Sequence, residues 1–176
     1  DSVYLTAHVL SDYRYFTSHT LTNNTVNGKP LYYITNASNI DVPQDAGCII
    51  VVGSENVTIR NVNCSCTDIA IQVILSYNVS LYDSISSDVV IGIDVRGCRN
   101  VYLYNLTVYN ASSYGIDCIY SSQAQLHICT VKSCERGMYF YDSAVSVSSS
   151  TCQKNNEGIH CGPYSSVNIY NCTIIE

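Results

Sequence analysis

The chain has 176 residues, a formal net charge of −6 and only 12% charged side chains, which excludes a nucleic-acid partner because such a partner needs a basic stripe. No stretch approaches the ~18 consecutive apolar residues that a membrane-spanning helix needs. With 47% apolar residues, the chain is one domain's worth and long enough to bury a real core.

Residues 1–45 keep no regular period and read as an N-terminal strand and loop segment. Val3, Leu5, Ala7 and Val9 alternate with Tyr4, Thr6, His8 and Leu10, which predicts one strand over residues 1–10. Residues 11–30 are polar, with turn signals at Asn23-Asn24 and Asn27-Gly28. A second short strand is expected over residues 31–34. Pro43, Asp45 and Gly47 then lead into a different unit, residues 46–176.

From residue 48 the chain repeats. Apolar anchors stand at Val57, Val79, Val101, Ala124, Val145 and Val167, at spacings of 22, 22, 23, 21 and 22. Two residues after each comes a second apolar position: Ile59, Leu81, Leu103, Leu126, Val147 and Ile169. A period near 22 with strand alternation is the signature of a parallel β-solenoid, in which stacked coils bury a core that no single coil could bury alone. Another strand precedes each anchor, with one inward column from Ile49 through Ile71, Ile93, Ile116 and Met138 to Ile159 and another from Val51 to Cys161. A small residue stands ahead of each, as Cys48, Ala70, Gly92, Gly115, Gly137 and Gly158. Glycine there suggests a corner whose backbone angle a side chain would oppose. A third strand follows each anchor, after a polar corner column of Asn61, Asp83, Asn105, Ile128, Ser149 and Asn171. Stacked amides there are expected to bond along the stack, leaving Asn105 and Asn171 partly buried. The fold class expected is all-β, a right-handed parallel β-helix of about six coils.

Ten cysteines point to an oxidising, extracellular compartment, and eight of the 16 asparagines begin N-x-[ST]. Asn23, Asn36, Asn56, Asn63, Asn78 and Asn110 are the glycosylation candidates. At least two disulfides are expected among the ten cysteines, with Cys48, Cys66, Cys98, Cys129, Cys134 and Cys152 as candidates and Cys129 and Cys152 on adjacent coils. Cys64-x-Cys66 lacks a partner pair, so no metal site is predicted, and no cofactor. His8, His19 and His127 read as ordinary surface residues.

Two outward columns could carry chemistry. One reads Ile50, Gln72, Asp94, Asp117, Tyr139, His160. At a coil spacing of about 4.8 Å the two aspartates become direct neighbours. Asp94, Asp117 and His160 are therefore weak catalytic candidates, set against a reading of two solvated aspartates. The other column and its neighbour place Tyr82, Tyr102, Tyr104 and His127 together as an aromatic patch for stacking on sugar rings or on protein.

Residues 48–176 resemble the parallel β-helix repeats of the carbohydrate-binding and sugar-hydrolase family. The stretch NGKPLYYITNASNIDVPQDAGCIIVVGSENVTIRNVN, residues 27–63, is similar to NosD-like β-helix proteins on the surfaces of methanogenic archaea. The resemblance implies a right-handed helix of three strands per coil and a surface location. The copper role that the NosD name implies finds no ligand set here, with one Met and four scattered His.

The reading that follows is a non-catalytic extracellular structural protein that associates with copies of itself. Residues 1–10 of one subunit, or its first coil, would dock on the uncapped last coil of the next and build a filament or surface layer. The rivals are a carbohydrate-binding module or polysaccharide lyase or hydrolase using the Asp94/Asp117 face, and a fragment of a longer archaeal surface protein.

Overall fold

The structure, a computed structural model, describes residues 13–175. The N-terminal strand expected over residues 1–10, with His8, lies outside them. The strands wind as a parallel solenoid. Its anchor sheet has seven strands, from Ser38–Asp41 through Glu55–Arg60, Tyr77–Tyr82, Arg99–Tyr104, Ser122–His127 and Ala144–Ser148 to Ser166–Tyr170. Every predicted anchor is a register partner of the next: Val57 with Val79, then Val101, Ala124, Val145 and Val167. The other two strands of each coil form one twelve-stranded sheet. They merge because Ile85–Arg96 and Thr107–Ile119 run unbroken around the corner between the two faces. The column from Ile49 to Ile159 is in register and faces the core as predicted.

The stacking reaches further toward the N-terminus than the period does. Lys29–Thr35 pairs in parallel with Cys48–Val52, and Ser38–Asp41 with Glu55–Arg60, so a shorter coil precedes residue 46. Its partner residues, such as Ile40 and Val57, are closer in sequence than a full period, which hides the coil from a search at fixed spacing. Ahead of it, Thr25–Val26 folds back antiparallel onto Lys29 and Pro30. Asn27 (φ 53°) and Gly28 (φ 76°) make the two-residue turn, both left-handed as a tight hairpin needs. The polar stretch before it holds a short helix, Tyr13–Thr17. Phe16 from this helix packs on Ile50, Val52 and Ile74, on the outer face of the sheet. That cover explains why apolar residues occupy outward positions in the first coils.

The small-residue column has a cause different from the one expected. Gly92, Gly115, Gly137 and Gly158 are absent from the left-handed residues; their constraint is space. A Cβ at Gly115 would lie 2.6 Å from the Gly137 carbonyl oxygen and 2.3 Å from a Val131 methyl. Left-handed backbone sits at the corners instead, at Asn61 (φ 54°), Asp83 (52°), Asn105 (50°), Ile128 (55°), Ser149 (49°) and Asn171 (53°). Asparagine tolerates that conformation and stacks: Asn105 Nδ2 donates to Asp83 Oδ1 at 2.6 Å. These corners are on the surface, so Asn105 and Asn171 are exposed rather than partly buried.

Buried polar groups are matched coil by coil. The backbone N–H of Ala37 donates to Ser54 Oγ (3.2 Å), that of Ser54 to Ser76 Oγ (3.1 Å), and that of Ser76 to Cys98 Sγ (3.4 Å). The ladder continues from Cys98 N–H to Ser121 Oγ (3.3 Å) and from Ser121 N–H to Ser143 Oγ (3.0 Å). Each side chain in turn donates to the carbonyl two residues back, as Ser76 Oγ does to Ile74 at 2.8 Å. Turn amides that face the core are thereby satisfied without water.

Cys98 occupies a serine's place in this ladder, and all ten cysteines are free thiols. None of the expected disulfides at Cys48, Cys66, Cys98, Cys129, Cys134 and Cys152 is seen within the chain. Among the strand pairings no cysteine faces another: Cys48 pairs with Leu31, Cys64 with Ser86, and Cys152 with Val131 and Ile174. Burial pushes the Cys48 and Cys129 thiols up to about 11 and those of Cys64, Cys98 and Cys152 up to about 12. They are neutral packing groups and weak donors, not nucleophiles.

The corner column yields a test. Ile128 is β-branched, 40% exposed and left-handed, the least suitable residue type for that backbone. Ile128→Asn removes the clash and offers an amide toward Asn105. It should raise stability by about 1 kcal/mol, read as an upward shift of the urea midpoint at unchanged m-value.

Candidate functional site

The column that holds the predicted carboxylates assembles in register: Ile50, Gln72, Asp94, Asp117, Tyr139, His160. Asp94 and Asp117 are direct neighbours across two coils. They are not solvated, however: Asp94 is 0% exposed and Asp117 1%. Arg96 stands two residues after Asp94 on the same strand, hence on the same face. Its Nε donates to Asp94 Oδ1 at 2.7 Å, and Gln72 Nε2 donates to Asp94 Oδ2 at 2.9 Å. Both oxygens of Asp94 therefore have donors, in contrast to the expected solvated aspartate. The signal was present as the i, i+2 spacing of Asp94 and Arg96.

Asp117 is placed differently. Its Oδ1 is buried and has no hydrogen-bond partner. Burial pushes its carboxyl well above the usual carboxylate range, the negative charge of Asp94 adds to the rise, and Arg96 works against it. Asp94 is also raised by burial, with Arg96 and Gln72 opposing. Only Asp94 touches a cation, so the pair divides into a charged Asp94 and a neutral Asp117. Two buried like charges in adjacent coils would otherwise repel strongly.

Above the pair the column turns aromatic. Tyr114 and Tyr139 lie 5.0 Å apart by ring centroid, and Tyr139 and His160 5.2 Å. The Arg136 guanidinium lies over Tyr114 and Tyr139, and it donates to Glu157 Oε2 (2.9 Å) and to the Tyr114 hydroxyl (3.0 Å). His160 Nδ1 is also 2.9 Å from Glu157 Oε2. His160 is thus tied to Glu157 and Tyr139 and does not meet the aspartates. As an acid–base device the pair has no open side: each member is hidden from solvent, and the proton donor and acceptor roles have no route to a substrate.

On the anchor sheet, three of the four aromatic candidates come together. Tyr102 stacks on Tyr104 (6.0 Å, 12° between planes), and Tyr104 on His127 (5.6 Å, 28°). His127 Nδ1 is 2.7 Å from Ser148 Oγ. Tyr82 is the register partner of Tyr104 but lies outside this ring stack. A groove of about 310 Å³ runs beside Tyr102, lined by Asn100, Gln123 and Gln125. Its walls carry amides and no charge. Among the described residues, no group of three or more His, Cys, Asp or Glu side chains is arranged to hold a metal ion.

The carboxylate pair predicts opposite outcomes for two similar substitutions. The folded protein holds the Asp117 pKa above its unfolded value. The stability associated with its neutral form is therefore complete below the unfolded pKa and is lost as pH rises through the folded one. Asp117→Asn keeps the shape and removes that loss, so at pH 7 it should stabilise by about 1–3 kcal/mol and flatten the fall of stability with rising pH. Asp94→Asn strands Arg96 and should destabilise by about 2–3 kcal/mol. Thermal melts of both variants from pH 4 to 9 check this.

Against known proteins, the chain matches the family described as right handed beta helix region over residues 13–174. No curated protein and no solved structure matches it. With the anchor columns, the parallel register and this match over nearly the whole length, the chain belongs to the right-handed β-helix family.

Proposed function

We propose that this chain is a non-catalytic extracellular scaffold that associates with copies of itself through its terminal coil. One observation carries the reading. The inward columns that are buried in every earlier coil emerge at Ile169 (44% exposed) and Ile174 (57%), with Ile175 beside them at 50%. Their register partners one coil earlier, Val147 and Cys152, are 0% and 2% exposed. Ser166–Tyr170 and Thr173–Ile175 are also the outermost strands at this end of the two sheets, so backbone donors and acceptors stand open beside the apolar stripe. A further parallel coil satisfies both needs at once.

The surface on a second copy that best fits is the opposite edge of the anchor sheet, Ser38–Asp41, whose one strand partner among the described residues is Glu55–Arg60. Such a contact is head-to-tail and adds copies without closing unless the rotation per subunit brings the chain round. The buried state of Asp94 and Asp117 favours this scaffold reading over a lyase or hydrolase. A surface placement like that of the NosD-like archaeal proteins belongs to the same proposal, supported by sequons on exposed corners. A second reading, polysaccharide binding, is favoured by the Tyr102–Tyr104–His127 row and its uncharged groove.

Light scattering across a concentration series tests the proposal. The chain should grow in mass with concentration, and Ile169→Arg with Ile174→Arg should return it to monomer while leaving the circular dichroism unchanged. A wild-type chain that stays monomeric at high concentration overturns the reading and assigns the open coil to following coils of a longer polypeptide. Polysaccharide retention lost in Tyr102→Ala, without any change in mass, favours the second reading.

A further inference from the structure

The eight sequons fall into two structural classes that the sequence motif does not separate. In the first class the asparagine amide is already committed to an amide ladder. Asn56 Nδ2 donates to Asn39 Oδ1 (3.1 Å), Asn78 Nδ2 to Asn56 Oδ1 (3.0 Å), and Asn100 Nδ2 to Asn78 Oδ1 (3.0 Å). Asn105 Nδ2 donates to Asp83 Oδ1 and Asn110 Nδ2 to Asp88 Oδ1 (3.0 Å). Asn39, Asn56, Asn78 and Asn100 all have left-handed backbones, as do Asp83, Asn105, Asp88 and Asn110, so the corner geometry itself aims these amides along the stack.

In the second class the column offers no stacked acceptor. Asn36 shares its corner with Gly53, Leu75 and Gly97, all left-handed and none bearing an amide. Asn63 pairs with Ile85. Asn171 follows Ser149 in its corner column. Asn23 precedes the coils. All four are exposed, and among the described residues none of their side-chain amides has a hydrogen-bond partner.

We infer that Asn23, Asn36, Asn63 and Asn171 are the asparagine-linked glycan acceptors of the folded chain, and that Asn56, Asn78, Asn105 and Asn110 are structural corner residues that resist the modification. The inference rests on the surface placement proposed above for its occurrence in the native setting, but its geometry does not. In the transfer, Nδ2 attacks C1 of a lipid-pyrophosphate-linked oligosaccharide. The N–C1 bond forms, the C1–O bond breaks, the pyrophosphate leaves with the electron pair, and one amide proton passes to a base. A ladder amide must give up its bond to the neighbouring coil before it can attack. Its product would then hold a pyranose against an amide stacked at about 4.8 Å. A free amide bears neither cost. At Asn171 an added copy would stack its own corner at that same spacing, so a glycan there and end-to-end association exclude one another. Glycans at Asn23, Asn36 and Asn63 leave the terminal coil open.

The test uses the purified folded chain, a single-subunit oligosaccharyltransferase with N-x-[ST] specificity and a lipid-linked oligosaccharide, with occupancy read site by site from glycopeptide masses. Occupancy at the four ladder sites should be lower than at the four free sites by at least about fivefold, the factor that one lost hydrogen bond represents. Asp88→Gly removes the acceptor of Asn110 and suits a left-handed corner, so it should raise occupancy at Asn110 alone. Equal occupancy of the two classes, no transfer to any free site, or an unchanged Asn110 in Asp88→Gly overturns the assignment. Native chains bare at all four sites, with the purified chain accepting glycans as described, would overturn the surface placement and leave the acceptor assignment standing.

Discussion

Everything in this molecule depends on one constraint: each coil must lie on the next in register, at a spacing of about 4.8 Å. The constraint is severe because identical columns recur through the stack. A residue that suits one coil is repeated, and so is any mistake. Valine, isoleucine and leucine fill the inward columns because branched apolar side chains pack well on a pleated surface that is covered on its inner side. At Gly92, Gly115 and Gly137, where two faces meet, the column shrinks to glycine, since the carbonyl of the following coil occupies the place of a Cβ. A solenoid of this kind gains stability from each interface between neighbouring coils.

Polar groups obey the same rule. Turn amides that point inward are met by a hydroxyl from the adjacent coil, and the hydroxyl passes its own hydrogen to a carbonyl two residues back. Cysteine can stand in this ladder because its thiol accepts and donates weakly and, once buried, stays neutral. The high cysteine content thus has a packing explanation that needs no bridge. Asn39, Asn56, Asn78 and Asn100 do outside what the serines do inside, and Asp94, Arg96 and Gln72 satisfy one another on the covered outer face of the sheet. Among the described residues the exceptions are Thr67 Oγ1 and Asp117 Oδ1, both buried without a hydrogen-bond partner.

The architecture was legible because periodicity is a property of the chain alone. Val57 to Val167 and Ile49 to Ile159 could be aligned from spacing, and their partners follow it residue for residue. Three things were not legible. The coil that begins at Lys29 is shorter than the rest, so a fixed period passes over it. Exposure of the outward columns depends on what lies over the sheet, and Phe16 reaches Ile50 from a segment that shares no repeat with it. Whether cysteines pair depends on which column each occupies relative to its neighbours, and in the strand register Leu31, Ser86 and Val131 stand opposite Cys48, Cys64 and Cys152. In the candidate site, adjacency of Asp94 and Asp117 could be read from the repeat, whereas their burial could not.

The most direct measurement of the stacking constraint is the stability of Gly115→Ala. The added methyl would lie 2.6 Å from the Gly137 carbonyl and 2.3 Å from Val131, in the middle of the stack where neither coil can move without its neighbours. Chemical unfolding should show a loss of about 1–3 kcal/mol, the usual cost of forcing an extra carbon into a packed interior. A Gly115→Ala chain as stable as the original, or more so, would mean that the coils are not held at this separation and would contradict the account.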